Sequence, residues 1–383
     1  MTRRKDPVLI TGATGILGSW VLGEALTRGY RPIVLMRDGD PERALARIQA
    51  VLGLIGHADD LDSVQIVRGD TRLPRLGLCN RTANEVRGKV ALAIHCAAST
   101  SFNPKDDETV WATNVAGASH LIEFISDANA PLFHVSTAYV AGARGGIAYE
   151  HELDAPHGFT NTYERSKWEA ERLVRDTFDA RVASGAVFRP GIIVGSSADG
   201  AISDFQNVYG FLRLIDLALA RKTNGSLHVR VEGNRDTVSN FVPVDWTAKV
   251  LWHIIEQEGP SGRTYHLTNP HGNTLGELKD WVNETLKPSG VRFELVDQLE
   301  SASSPVELMA QSAFQHYRPY TKRQPRFDDA NTARATGGHY PFPEEGPAYY
   351  EKLLTFARRH RWKGILAATR KKASAPRPTA VNV

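Results

Sequence analysis

Short apolar runs alternate with longer amphipathic stretches through the first half of the chain. VLIT (8–11), PIVLM (32–36), VQIVR (64–68), VALAIHC (90–96), PLFHVS (131–136) and AVFRP (186–190) are compact and bounded by Gly, Pro or charged residues. Continuous apolar runs of this length are what strands buried on both faces require. Between them, ILGSWVLGEALTRG (16–29) and NVAGASHLIEFISDAN (114–129) carry apolar residues at helical spacing. The alternation predicts an α/β fold, a Rossmann-type doubly wound parallel sheet with helices on both faces.

The rhythm changes after about residue 195. GSSADGAISD (195–204) leads to an apolar helix, YGFLRLIDLALA (209–220), and then to mixed short elements: SLHVRVEGN, FVPVDWTAKVLWHIIEQ, TYHLTN, TLGELKDWVNETL and FELVD. This predicts a nucleotide-binding domain over 7–195 and a smaller mixed α/β substrate lobe over 196–365, some of whose segments return to the main sheet. Within the lobe, residues 310–338 are rich in aromatic and basic residues and look like a loop or lid, with a plain surface connection as the alternative. The Pro/Ala-rich basic stretch 366–383 reads as a disordered tail.

Charge narrows the function classes. The 383 residues hold 46 Lys+Arg against 43 Asp+Glu, a formal +3 that argues against a dedicated nucleic-acid binder. Cys79 and Cys96 have no CxxC spacing and no His cluster around them, so neither a disulfide framework nor a metal site is expected. The basic N-terminus lacks the pattern of a secretory signal, and no apolar run reaches the ~18 residues of a membrane span. A cytoplasmic protein is expected, with oligomeric state left open.

TGATGILG places glycines at 12, 15 and 18 between the first strand and the first helix. Gly12 permits a tight turn, Gly15 lets backbone N–H groups approach a pyrophosphate, and Gly18 lets the helix pack on the sheet. Phosphates would sit at the helix N-terminus, where free N–H groups and the dipole favour anions. Arg37, after the second strand, suits the 2′-phosphate of NADP, whereas NAD binders place an acid there; the competing reading puts Asp38 on the ribose. Asp70 is placed to meet the adenine edge, and Cys96-Ala97-Ala98 leave room beside the pyrophosphate and ribose. Cofactor contacts are also expected of Thr14, Ile16, Leu17, Thr71, Ser99, Pro190, Gly191 and Ile193.

FHVSTAYVAG puts Ser136 and Thr137 at the carboxyl end of the fifth strand, where open α/β sheets bind ligands. One loop later YERSK sets Tyr163 and Lys167 four residues apart, on one face of a helix. A carbonyl that accepts hydride needs a proton for its developing oxyanion. Tyr163 can donate it, a nearby Lys167 ammonium would favour the phenolate and hold the nicotinamide ribose, and Thr137 would fix the substrate oxygen. Asn114 is expected to orient a water or a backbone carbonyl in a proton relay, the alternative being a helix-surface amide. Other residues read more plainly: His95 as a packed histidine, Asp245 as a helix cap, and Arg235 as a surface salt bridge rather than a phosphate ligand. Tyr209, Phe211, Leu212, Leu214 and Ile215 suit either an apolar pocket or the core.

Together these residues resemble the extended short-chain dehydrogenase/reductase superfamily from about residue 7 to about 270. VRGDTRLPRLGL, IHCAASTSFN, TNVAGASHLIEF, HVSTAYVAG, TYERSKWEAERLV, FRPGIIVG and FVPVDW look like its thioester-reductase and fatty acyl-CoA-reductase branch, with its male-sterility-type NAD-binding domain. The resemblance implies NADPH-dependent reduction of an acyl thioester to an aldehyde or alcohol. It assigns Thr137, Tyr163 and Lys167 to the catalytic triad and Gly12, Gly15 and Gly18 to the cofactor loop. No adenylation or carrier-protein module is read in these 383 residues, and a carrier- or CoA-bound substrate is expected to arrive in trans. The alternatives are a free-standing aldehyde or ketone reductase, a nucleotide-sugar epimerase or dehydratase, and a non-catalytic NADP-sensing protein.

Overall fold

The computed structural model describes residues 6–37, 39–206, 208–221 and 226–367. Asp38 lies outside them, as does the expected tail from residue 368 onward. Each apolar run of the first half forms a strand. Numbered within the main sheet, these are β1 (Pro7–Thr11), β2 (Arg31–Met36), β3 (Gln65–Arg68), β4 (Leu92–His95), β5 (Leu132–Val135) and β6 (Gly185–Pro190), joined by β7 (Thr264–Leu267). All seven run parallel in the order β7-β6-β5-β4-β1-β2-β3. Successive residues Leu9 and Ile10 point to opposite faces and are both buried, in separate core clusters, which explains the unbroken apolar runs. The strand order reverses between β1 and β4, and ligands of open α/β sheets bind at the carboxyl ends beside that point.

The helices of eight or more residues in this half are α1 (Ile16–Thr27), α2 (Pro41–Leu54), α3 (Asn80–Arg87), α4 (Gly117–Ala128) and α5 (Thr162–Asp179). The helix expected from residue 114 starts earlier: a short α-helical segment, Asp107–Trp111, continues through a π-helical turn, Ala112–Ala116, that holds the buried Asn114, and runs on into α4. Asn161 caps α5, its side-chain oxygen accepting the Glu164 N–H at 3.0 Å. That cap starts the helix just before Tyr163.

Two stretches beyond residue 195 return to the main sheet. The TYHLTN run supplies β7, and α7 (Val244–Glu258), which follows α6 (Val208–Arg221), packs against α1. There Trp252 donates Nε1–H to the Val21 carbonyl at 2.9 Å, and its ring lies 4.7 Å from that of Tyr30. SLHVRVEGN and FELVD form strands Leu227–Glu232 and Val291–Val296, paired in parallel as a second small sheet. Helices α8 (Leu275–Leu286) and α9 (Pro305–Phe314) belong to this lobe.

The 310–338 stretch is not one loop. It holds the end of α9, a turn at Arg318–Thr321, a strand Arg326–Phe327 paired with Ile147–Ala148, and α10 (Ala330–Thr336). Asp245 does not cap α7 either. The cap position is Pro243, and Asp245 sits in the first turn, accepting the N–H and hydroxyl of Ser197 at 2.9 and 2.8 Å. Among the described residues no helix is long and apolar enough to cross a membrane.

Candidate active site

β1 runs into Gly12 at φ +71°, backbone that favours glycine. A Cβ there would lie 2.6 Å from the Ala97 nitrogen, and one on Gly18 would lie 2.1 Å from the Gly12 carbonyl oxygen. The turn is thus pressed between the chain leaving β4 and the start of α1. Gly15 occupies the cap position with no side chain capping α1, and the first turn carries no acid. Its N–H groups and dipole therefore suit an anion such as the pyrophosphate of a nicotinamide dinucleotide.

One arginine meets this turn, and two others gather at Asp70. Arg47, on α2, donates Nη2–H to the Thr14 hydroxyl at 2.9 Å, a contact with no signal in the linear motif. Arg37 is exposed at the end of β2, and its charge reaches Asp70. Burial opposes ionisation of Asp70, but hydrogen bonds from Arg72, aided by the charges of Arg72 and Arg37, hold its carboxyl below the usual range. The Asp70 carboxylate is engaged by the Arg72 guanidinium at 2.6 Å. Thr71 is buried against α4, its hydroxyl 3.1 Å from where a Cβ on Gly117 would stand.

Past β4, Ala97 N–H donates to the Thr11 hydroxyl at 3.3 Å. Asn114 fixes the next residues, accepting the Ser99 N–H at 2.7 Å and donating to the Ser99 carbonyl at 3.0 Å and the Ser166 hydroxyl at 2.8 Å. It is a buried bracket between the β4 loop and α5, not a helix-surface amide. His95 is buried and bonded to the Thr11 hydroxyl at 2.6 Å; burial, then the Lys167 charge, push its imidazolium pKa down to about 3.

Thr137, Tyr163 and Lys167 share one cavity of about 540 Å³ with the glycine turn. Gly15, Ile16, Leu17 and Gly18 line it from the turn, Ala98 and Cys96 from beyond the end of β4, Pro190 from the end of β6, and Gly191 and Ile193 from just after it. Burial pushes the Tyr163 phenol up to about 12; a hydrogen bond with Thr137 opposes the rise and Glu164 adds to it. Lys167 donates to the Val135 carbonyl at 2.7 Å. Burial pushes its ammonium down to about 8, against the opposing influence of Glu171. The phenol is therefore set chiefly by desolvation, not by a lysine pulling it toward phenolate.

The substrate side of the cavity is mostly apolar. Phe211, Phe241, Leu278, Phe293 and Leu299 line it. The α6 residues divide between the two readings: Phe211 faces the cavity, while Tyr209, Leu212, Leu214 and Ile215 are buried in the lobe core. Phe102 and Tyr320 also line it, with Phe102 centred 5.7 Å from the Tyr163 ring and 5.9 Å from Tyr320. Nothing local in the sequence marks either ring, since they meet only in the fold. Arg235 forms a surface ion pair with Asp280 at 3.2 Å.

The sequence profile of the male sterility protein family matches residues 10–251, well over half of the chain. An isonitrile lipopeptide synthase of Mycobacterium tuberculosis is 29% identical over 308 residues, covering 73% of this chain and 12% of that protein. A carboxylic acid reductase of the same organism is 25% identical over 314 residues, covering 76% of this chain and 27% of that protein. The chain thus spans under a third of the length of these curated relatives. The crystal structure of the terminal R domain from the myxalamid PKS-NRPS biosynthetic pathway superposes with a TM-score of 0.79 at 24% identity, covering 94% of this chain and 92% of that one, a likeness of fold. The glycine turn fits a nicotinamide dinucleotide, in keeping with the NAD-binding profile matched over residues 10–251. With the fold, the cofactor turn and the profile in agreement, the chain belongs to the male sterility protein family of the extended short-chain dehydrogenase/reductase superfamily.

Proposed function

We propose that this chain is an NADPH-dependent reductase of acyl thioesters, the acyl group being carried on coenzyme A or a carrier protein and released as an aldehyde or, after a second reduction, an alcohol. The observation that carries this reading is a phenol, a hydroxyl and an ammonium, from Tyr163, Thr137 and Lys167, in one cavity with the glycine turn and an apolar substrate wall. The relative named carboxylic acid reductase supports acyl reduction.

NADPH, when bound at the glycine turn, would supply the hydride for the carbonyl carbon. Tyr163 gives its proton to the oxygen that becomes negative as the hydride arrives, and Thr137 steadies that oxygen by hydrogen bonding. The hemithioacetal then expels the thiol and leaves the aldehyde, one NADPH being oxidised for each aldehyde formed. Lys167, its ammonium held by the Val135 carbonyl, serves the ribose hydroxyls of the cofactor. Gly15 and the N–H groups that follow take the pyrophosphate. Arg37 takes the 2′-phosphate, and Arg47 is held on Thr14 of the glycine turn. Arg37→Asp is accordingly expected to weaken NADPH binding by about tenfold or more, on the ~1.5–3 kcal/mol of a charged hydrogen bond, with NADH little affected. Equal losses for both dinucleotides in a fluorescence titration would remove Arg37 from that role.

A pH dependence follows from Lys167. Its folded pKa of about 8 lies below the ordinary ammonium value, so the charged form predominates below that pH and is lost above it. The kcat/KM for NADPH should fall as pH rises through about 8, and a profile flat to pH 10 would contradict the role given to Lys167.

NADPH oxidation followed at 340 nm, with acyl-CoA thioesters, the matching aldehydes and simple ketones offered in parallel, tests the whole reading. Consumption with thioesters is the expected result. Consumption with free carbonyls alone would make the chain a carbonyl reductase, and no consumption with any of them, nor with a carrier-bound thioester, would overturn the proposal.

A further inference from the structure

The turn Arg318–Thr321 stands far from the catalytic helix in sequence, yet Tyr320 joins the two. Its hydroxyl donates a short hydrogen bond to the Glu164 carboxylate and accepts one from Asn161 Nδ2 at 2.8 Å. Glu164 is 1% exposed and also accepts the Thr160 N–H at 2.8 Å. Asn161 is the cap of α5, so both side-chain ends of that cap are occupied, the oxygen by the Glu164 N–H and the nitrogen by Tyr320. Tyr163 lies between these two residues.

The other side of the turn is anchored in the substrate lobe. Arg318 and Lys322 pair with Glu232 at 2.6 and 2.8 Å, Asn234 N–H donates to the Thr321 carbonyl at 2.9 Å, and the Thr237 hydroxyl donates to the Lys322 carbonyl at 3.0 Å. Gln324 closes the arrangement, donating to the Tyr320 carbonyl at 2.7 Å and accepting the Tyr139 hydroxyl at 2.6 Å. Above the Tyr163 ring, Phe102 is held against Tyr320 and Tyr317.

We propose that Tyr320 is a positioning residue, a clasp from the substrate lobe that fixes the first turn of α5 through Glu164 and Asn161 and backs Phe102 against the Tyr163 ring. This rests on the assignment of Tyr163 as proton donor. The physical reason is geometric. A donor displaced by about 1 Å can lose about 10²-fold in rate, so a side chain at the cavity wall whose hydroxyl is engaged by Glu164 and Asn161 governs turnover through the placement of Tyr163. The buried Glu164 carboxylate needs its donors, and removing one leaves an acceptor unsatisfied at the turn that carries the phenol.

Tyr320→Phe keeps the ring and deletes the hydroxyl. It should lower kcat by about tenfold or more, with KM for the acyl substrate and the NADPH dissociation constant within about twofold of wild type. Glu164→Gln, which retains an acceptor, should keep most of the activity, and Glu164→Leu should match Tyr320→Phe, with the double variant no worse than either single one. Wild-type kcat in Tyr320→Phe, or additive losses in the double variant, would overturn the clasp while leaving the reductase reading intact. A second readout needs no turnover. Amide hydrogen exchange at residues 161–167 should accelerate in Tyr320→Phe while the strands β1 and β4 stay protected, and unchanged exchange there would overturn the clasp even in a protein that reduces none of the substrates offered.

Discussion

Tyr163→Phe is expected to lower turnover by at least ~10²-fold, the usual size of a general-acid contribution, while NADPH binds as in wild type. The substitution deletes one oxygen and leaves the ring packed against Phe102. On the proposed mechanism, what is lost is the proton for the carbonyl oxygen and the hydrogen bond to Thr137. Burial raises the phenol, so at neutral pH it is in the protonated form that a reduction needs. The same raised value makes it a poor base, and the reverse oxidation of an alcohol should be slower than reduction until the pH is well above neutral. Single-turnover oxidation of bound NADPH, with cofactor affinity measured separately, separates these terms. A Phe variant that turned over like wild type would end the mechanism.

Much of this site was legible in the order of residues, for a physical reason. Parallel strands buried on both faces need unbroken apolar runs, so β1 to β6 stand out; the glycine turn must directly join β1 to α1, so its three glycines are local. Tyr163 and Lys167 are four apart because one helix face carries both. Residues acting across the fold left no such trace. Arg47 meets Thr14 from the next helix, and Tyr320 meets Glu164 across more than 150 residues, so neither spacing carries a period. The misassignment of Asp245 has a similar origin: an acid in a first helical turn looks like a cap until Ser197, from a distant loop, is found to bond it. The expectation that Lys167 lowers the Tyr163 pKa assumed a charge effect stronger than desolvation. In the folded protein burial leads for both groups, a property of the cavity and not of the YERSK string.

Glu171→Gln should act on stability and pH dependence together. Glu171 lies one turn beyond Lys167 on α5, fully buried, with Arg189 of β6 bonded to its carboxylate at 2.6, 3.0 and 3.1 Å. Arg189 also donates to the Glu152 carbonyl at 2.7 Å and is 2% exposed, so it has no route to water once its counter-charge is gone. Breaking a buried pair from one side typically costs about 3–5 kcal/mol, and the urea midpoint should fall accordingly. Glu171→Leu combined with Arg189→Met removes both charges and should recover most of that loss, because neither is then left unpaired. The second effect has a definite sign. The Glu171 carboxylate favours the Lys167 ammonium against the burial that pushes it down to about 8. Without that carboxylate the ammonium pKa drops further, so the alkaline fall in kcat/KM must move to lower pH in Glu171→Gln. A limb that stays in place while stability falls would mean that Lys167 does not govern it. A limb that moves down, in a variant still folded in the assay, would tie the catalytic helix, the buried ion pair and the cofactor-side lysine into one electrostatic unit.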